Sequence, residues 1–140
     1  MNTQLLSTDT VTQLYEAGLS LLKQLIATPS FSKSEDKTAA IIEDFFKLNG
    51  IPTQRSMNNV WAFNKHYDAS KPTILLNSHH DTVKPNSGYT LNPFEPIEKD
   101  GKLFGLGSND AGGPLVSLIC TFLYFYEKII KQKIIFIYIN

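Results

Sequence analysis

The chain has 140 residues, 42% hydrophobic and 19% charged, the composition of one globular domain with room for a core. Thirteen basic residues balance thirteen acidic ones, so no net field favours nucleic acid or an anionic membrane, and neither is expected as a partner. The single cysteine, Cys120, cannot close an internal disulfide, and an oxidising compartment is not required.

The opening MNTQLLSTDT lacks a basic region followed by an apolar one, which makes the cytoplasm the expected location. Leu14, Gly18, Leu21, Leu22, Leu25 and Ile26 recur at helical spacing and predict an amphipathic helix over 11–27. Pro29 stops it, having no amide hydrogen for the next turn. Ser32 and Glu35 have capping-box spacing ahead of a second helix with Ile41, Ile42 and Phe45 on one face, and Asn49-Gly50 ends it.

The period then shortens. NVWAF (59–63) and TILLN (73–77) are bounded by turn formers and read as strands. EKDGKLFG (98–105) carries Asp100-Gly101, a tight hairpin signal. An apolar helix is expected over about 112–129. Its segment PLVSLICTFLYFYEKII meets Glu127 and Lys128 after about a dozen apolar-leaning residues, short of the roughly 20 that a membrane span needs. KIIFIYIN (133–140) closes the chain as a strand. Helices followed by strands around a helix indicate an α/β layered domain. TILLN and KIIFIYI are continuously apolar, which predicts central strands buried on both faces.

Ligands in such sheets gather outside the carboxyl ends of the strands, and TILLN runs directly into SHHD (78–81). If strand geometry persists through Asp81, His79 and Asp81 share one side and His80 takes the other. A metal-binding imidazole usually gives its second ring N–H to an oxygen, often a carboxylate. His-x-Asp supplies both parts, with Asp81 orienting His79 or positioning a reacting water. The same three residues also fit a polar loop after a strand. His80, on the opposite side, reads as a bystander, and His66 as a loop histidine. Cys120 reads as a core residue of its helix.

The second motif, GLGSNDAGGP (105–114), sets Asp110 among glycines just before the apolar helix. One carboxylate presented there could bridge two cations, or it could cap the helix in solvent. A dinucleotide fingerprint would need glycine at 110, and a phosphate-binding Walker loop would need Lys-Ser/Thr after Gly112. Neither is present.

Taken together, SHHDTV (78–83), GLGSNDAGG (105–113) and the early LLKQLIATPSFSKSE (21–35) resemble the zinc-dependent acetylornithine deacetylase family. That family also holds succinyl-diaminopimelate desuccinylases, aminoacylases and glutamate carboxypeptidase relatives. The stretch NSHHDTVKP, with YTLNPFEP and GKLFGLGSNDAGG, is most similar to the acetylornithine deacetylase branch. The resemblance implies a di-zinc peptidase-like catalytic domain with a mixed sheet flanked by helices, of which residues 1–140 would be the amino-terminal part. It implies His79 as ligand to one zinc, Asp110 as the carboxylate bridging both, and Asp81 as the acidic residue supporting catalysis. It also implies a cis peptide after Asp110, and two zinc ions per complete site with cobalt(II) as a substitute. The reaction would be amide hydrolysis of an N-acyl amino acid, N-acetylornithine to ornithine and acetate in arginine biosynthesis, by a homodimer. A desuccinylase or dipeptidase of the same family, or a non-catalytic remnant serving as an interaction module, are the alternatives.

The chain departs from the family pattern in Leu106, where arginine is common, and in Ala111-Gly112, where Met-Lys is frequent. The family also places a Glu-Glu pair, general base and zinc ligand, after a strand like KIIFIYI, followed by further ligands and an inserted dimerisation domain. The 140 residues without these are expected to be inactive, and an uncovered apolar strand predicts poor solubility.

Overall fold

The computed structural model describes residues 8–128 and 134–140. Within them the chain forms α1 (Thr8–Ile26), α2 (Asp36–Leu48), β1 (Gln54–Ser56), β2 (Asn59–Phe63), β3 (Thr73–Ser78), β4 (Ile97–Lys99), β5 (Lys102–Phe104), α3 (Gly113–Phe125) and β6 (Ile134–Ile139). One sheet has the order β1-β2-β6-β3 and is mixed, with β6 antiparallel to β2 and parallel to β3. β4 and β5 form a separate hairpin. Asp100 and Gly101 at its tip both have positive φ, 52° and 71°, as a two-residue turn matched to strand twist requires.

The alternation of β2 and β6 decides where the core lies. Val60 and Ala62 pair in register with Ile139 and Ile137, and all four are buried beneath the helices. The intervening pair, Trp61 and Tyr138, stacks on the opposite face with ring centroids 5.9 Å apart. α2 packs on β2, α3 on β3 and β6, and α1 on the other two helices. Phe46 of α2 meets Phe122 of α3 edge to face at 6.0 Å and 87°, and both are fully buried. Removing either ring would cost about 3–5 kcal/mol.

Several expectations are met: α/β layering, both long helices, the hairpin, and a central β6. β1 carries no sequence signal, being three polar residues held by pairing to β2. Three expectations need correction. Among the described residues β3 is not central: β6 is its one neighbour in the sheet, and Ile74 and Leu75 are 41% and 55% exposed. Leu76, on the helix-facing side, packs against the core. The capping box does not form either. α2 begins at Asp36 without a side-chain cap, and Glu35 instead accepts from the Lys33 amide and from Asn58 Nδ2. Finally, α3 ends at Phe125, earlier than expected, while Ile129 and Lys133 lie outside the described residues.

Cys120 is half-buried where α3 meets α1, its Sγ donating to the Leu14 carbonyl at 3.2 Å. Burial pushes its thiol pKa up, which suits a packing role.

Candidate functional site

β3 ends formally at Ser78, but its ladder with the end of the chain continues. Asn140 N donates to Ser78 O at 3.0 Å, and His80 N donates to Asn140 O at 2.8 Å. The pleat therefore runs on through the motif and sends His79 and Asp81 to one side and His80 to the other.

His80 is buried, 6% exposed. Its Nε2 lies 3.1 Å from the Asn58 carbonyl and its Nδ1 2.8 Å from Thr38 Oγ1. A carbonyl can only accept, so Nε2 carries a proton. Desolvation pulls the pKa of His80 below the ordinary imidazole range, against the opposing pull of the Asn58 carbonyl and the Glu35 and Asp81 carboxylates. It faces away from His79 as expected, and it ties the motif to α2 and to the β1–β2 turn.

His79 stands between two carboxylates. Its Nδ1 is 3.0 Å from Asp81 Oδ1 and 3.4 Å from the Asp81 carbonyl, and its Nε2 is 3.2 Å from Asp110 Oδ1. The second oxygen of Asp81 accepts from Ser32 Oγ. Asp110 is carried by the turn 108–112, whose Asp110–Ala111 peptide is cis, as the resemblance implies. Close backbone approach shapes that turn. Gly107 has φ +74°, and a Cβ on it would lie 2.6 Å from Thr82 Cγ2. A Cβ on Gly112 would lie 2.7 Å from the Gly107 carbonyl oxygen. Side chains are excluded at both positions, which lets the loop fold tightly and present the Asp110 carboxylate 90% exposed.

The donor set matches a metal in spacing and in chemistry. Around a tetrahedral zinc with bonds of about 2.0–2.1 Å, neighbouring donors are about 3.3 Å apart. The 3.2 Å between His79 Nε2 and Asp110 Oδ1 fits that spacing, and the nitrogen–carboxylate chemistry fits the ion. Asp81 lies at hydrogen-bond distance from the other ring nitrogen, where an orienting carboxylate of a metal-bound imidazole would stand. Among the described residues no cluster of three or more histidine, cysteine, aspartate or glutamate side chains is placed to hold a metal, so these two donors fit part of a site. The hollow behind His79, between Ser30, Gly107 and Ala111, measures only about 20 Å³, about one water's worth.

Three glutamates are engaged elsewhere. Glu98 pairs with Lys23, Glu127 with Lys65 at 2.8 Å, and Glu43 with Arg55 at 2.8 Å. The Lys65 ammonium holds the Glu127 pKa low, and Glu127 raises that of Lys65. His66 is a loop residue, its Nε2 3.2 Å from the Glu127 carbonyl. Sequence reasoning missed Ser32, which it spent on a helix cap. No local spacing could have pointed to a partner 49 residues away.

The model of peptidase family M20/M25/M40 matches residues 75–139. A succinyl-diaminopimelate desuccinylase of Blochmanniella floridana is 30% identical over 122 residues, covering 82% of this chain and 32% of that protein. One of Coxiella burnetii is 31% identical over 121 residues, covering 82% and 30%. Among solved structures, an M20 family metallo-carboxypeptidase from Sulfolobus solfataricus superposes with a TM-score of 0.72 at 20% identity, covering 88% of this chain and 30% of that one. Human carnosine dipeptidase 1 gives 0.70 at 18%, covering 94% and 32%. The chain spans about a third of the length of the relatives it matches. The matched segment contains both motifs from which the site is built, and the chain belongs to peptidase family M20/M25/M40.

Proposed function

We propose that the chain supplies His79 and Asp110 as metal ligands, and Asp81 as the supporting carboxylate, to a metal-dependent hydrolase acting on the amide bond of an N-acyl amino acid or dipeptide. The observation that carries this reading is His79, oriented through Nδ1 by Asp81 with Nε2 facing Asp110, at the carboxyl end of β3. Bound zinc, with cobalt(II) as substitute, supplies Lewis acidity toward the scissile carbonyl and toward water.

The chain's own residues have separate tasks. Asp81 keeps a proton on His79 Nδ1, which leaves the Nε2 lone pair for a cation. The exposed Asp110 carboxylate offers a second oxygen, Oδ2, on the solvent side, as a bridge between two cations would need. Leu106 and Gly107, with Leu22, Leu25 and Ile26 of α1, line the small hollow behind His79. The acyl group is the finer question. Asn77–Pro85 and Gly105–Gly113 resemble the branch acting on N-acetylornithine, whereas the two sequence relatives are named for an N-succinyl substrate. N-acetylornithine is the substrate proposed here, with the N-succinyl compound as its rival.

Equilibrium dialysis against buffered zinc tests the ligand assignment. The wild-type chain is expected to take up zinc, and the His79→Ala and Asp110→Ala chains to take up much less. Equal zinc in all three would refute the assignment.

A further inference from the structure

The segment Pro29–Glu35 belongs to the early motif, yet the metal donors make no direct use of it. It nevertheless touches the 79–82 segment repeatedly. Ser30 is buried, its Oγ donates to the His80 carbonyl at 2.9 Å, and its own carbonyl accepts from Thr82 N at 2.7 Å. Phe31 and Thr82 form an isolated parallel bridge. These contacts fix where the backbone lies. The remaining contact is of another kind: Ser32 Oγ donates to Asp81 Oδ2, and Asp81 Oδ1 is the oxygen that holds His79 Nδ1.

A carboxylate turns easily about its last torsion, which is broad and roughly two-fold. One hydrogen bond, to Oδ1, leaves that torsion loosely set. A second, to Oδ2 from a different element, fixes the plane. Both neighbours must donate, because an ionised carboxylate only accepts. The proton between Asp81 and His79 is then held on Nδ1 against the competing pull of the Asp110 carboxylate, which also only accepts and lies 3.2 Å from Nε2; a cation between Nε2 and Asp110 would separate those two acceptors.

We infer that Ser32 is a positioning residue for the metal site, locking the Asp81 carboxylate so that His79 keeps the tautomer that can bind a cation through Nε2. The purpose of this device rests on the metal-hydrolase reading, although its geometry does not. Ser32 is exposed and α2 begins beyond it without a side-chain cap, so the hydroxyl is not needed to start the helix and its removal should leave folding intact.

The test uses the full 140-residue chain with ¹⁵N-labelled histidine, with His79 assigned through the His79→Gln variant. Long-range ¹H–¹⁵N spectra, followed upward through a pH series until they stop changing, separate the two neutral tautomers. Wild type and Ser32→Thr, which keeps the hydroxyl, are expected to hold the proton on Nδ1. Ser32→Ala is expected to populate the other tautomer and to bind zinc about 10-fold more weakly, with an unchanged thermal midpoint. An unchanged tautomer ratio in Ser32→Ala, or a Ser32→Thr that behaves like Ser32→Ala, would overturn the inference. A Ser32-dependent tautomer in a chain that takes no zinc would uphold the Ser32 role and overturn the metal reading. Zinc bound equally by wild type and Ser32→Ala, with the same tautomer, would do the reverse.

Discussion

Gly107→Ala tests how the Asp110 turn is held. The backbone there has φ +74°, and the new methyl would lie 2.6 Å from Thr82 Cγ2. A left-handed conformation costs a residue with a Cβ about 1–2 kcal/mol. Forcing a methyl into a filled space costs about 1–3 kcal/mol more. Together these give about 3 kcal/mol, and the two parts can be separated. Thr82→Ser removes the opposing methyl and keeps the hydroxyl, which lies 3.4 Å from the Ser30 carbonyl. In a Thr82→Ser background the glycine replacement should cost only the backbone part, about 1–2 kcal/mol. Urea unfolding of the four chains of this double-mutant cycle measures the difference, provided that the slopes agree. A coupling of about 1–2 kcal/mol stands well clear of the roughly 0.5 kcal/mol scatter of independent sites. If Gly107→Ala costs the same in both backgrounds, the contact with Thr82 is not what demands glycine.

Other outcomes follow from the same structure. Burial lowers the folded-state pKa of His80, so its contribution to stability is full above the unfolded value of about 6.5 and is lost as the pH falls through the lowered folded value. Thermal melts across that acid range should show the slope, and His80→Gln should flatten it; a slope unchanged by the substitution would rule out His80 as its source. The 140 residues alone, with two of about five zinc donors and with Glu43, Glu98 and Glu127 paired elsewhere, should turn over neither N-acetylornithine nor N-succinyl-diaminopimelate. Zinc-dependent turnover that disappears in Asp110→Ala would contradict this. The open edge of β3, with Leu75 55% exposed, should drive self-association. Leu75→Lys should shift light-scattering profiles toward monomer, and a wild-type chain already monodisperse as a monomer would refute the idea.

The parts of the fold legible in the sequence were those with local causes. Alternation set His79 and Asp81 apart from His80, because the ladder through the His80 amide keeps the pleat beyond the formal strand end. Asp100-Gly101 gave the hairpin by backbone chemistry alone. β3 was misplaced because an apolar run reports a strand's need for cover and says nothing of where cover is supplied. Ser32 and Glu35 had the spacing of a capping box, but Asp81 and Asn58 offered stronger, distant partners and took both side chains. The approach of Asp110 to His79 had no local signature either, and it came from the resemblance rather than from spacing.

The parallel pairing of β3 with β6 joins residues about sixty positions apart, and it is this pairing that continues into the Ser78–Asn140–His80 bonds. Contacts so distant pay their loop-closure entropy before any reward arrives, so they form late in folding. The α1 and α2 helices can assemble from neighbouring residues well before then. The backbone beneath His79 would thus acquire its final geometry only when β6 docks, and a cation offered earlier would meet histidine and aspartate side chains that do not yet converge. In pulsed hydrogen exchange during refolding, the His80 amide should gain protection in step with β6 and after the helices.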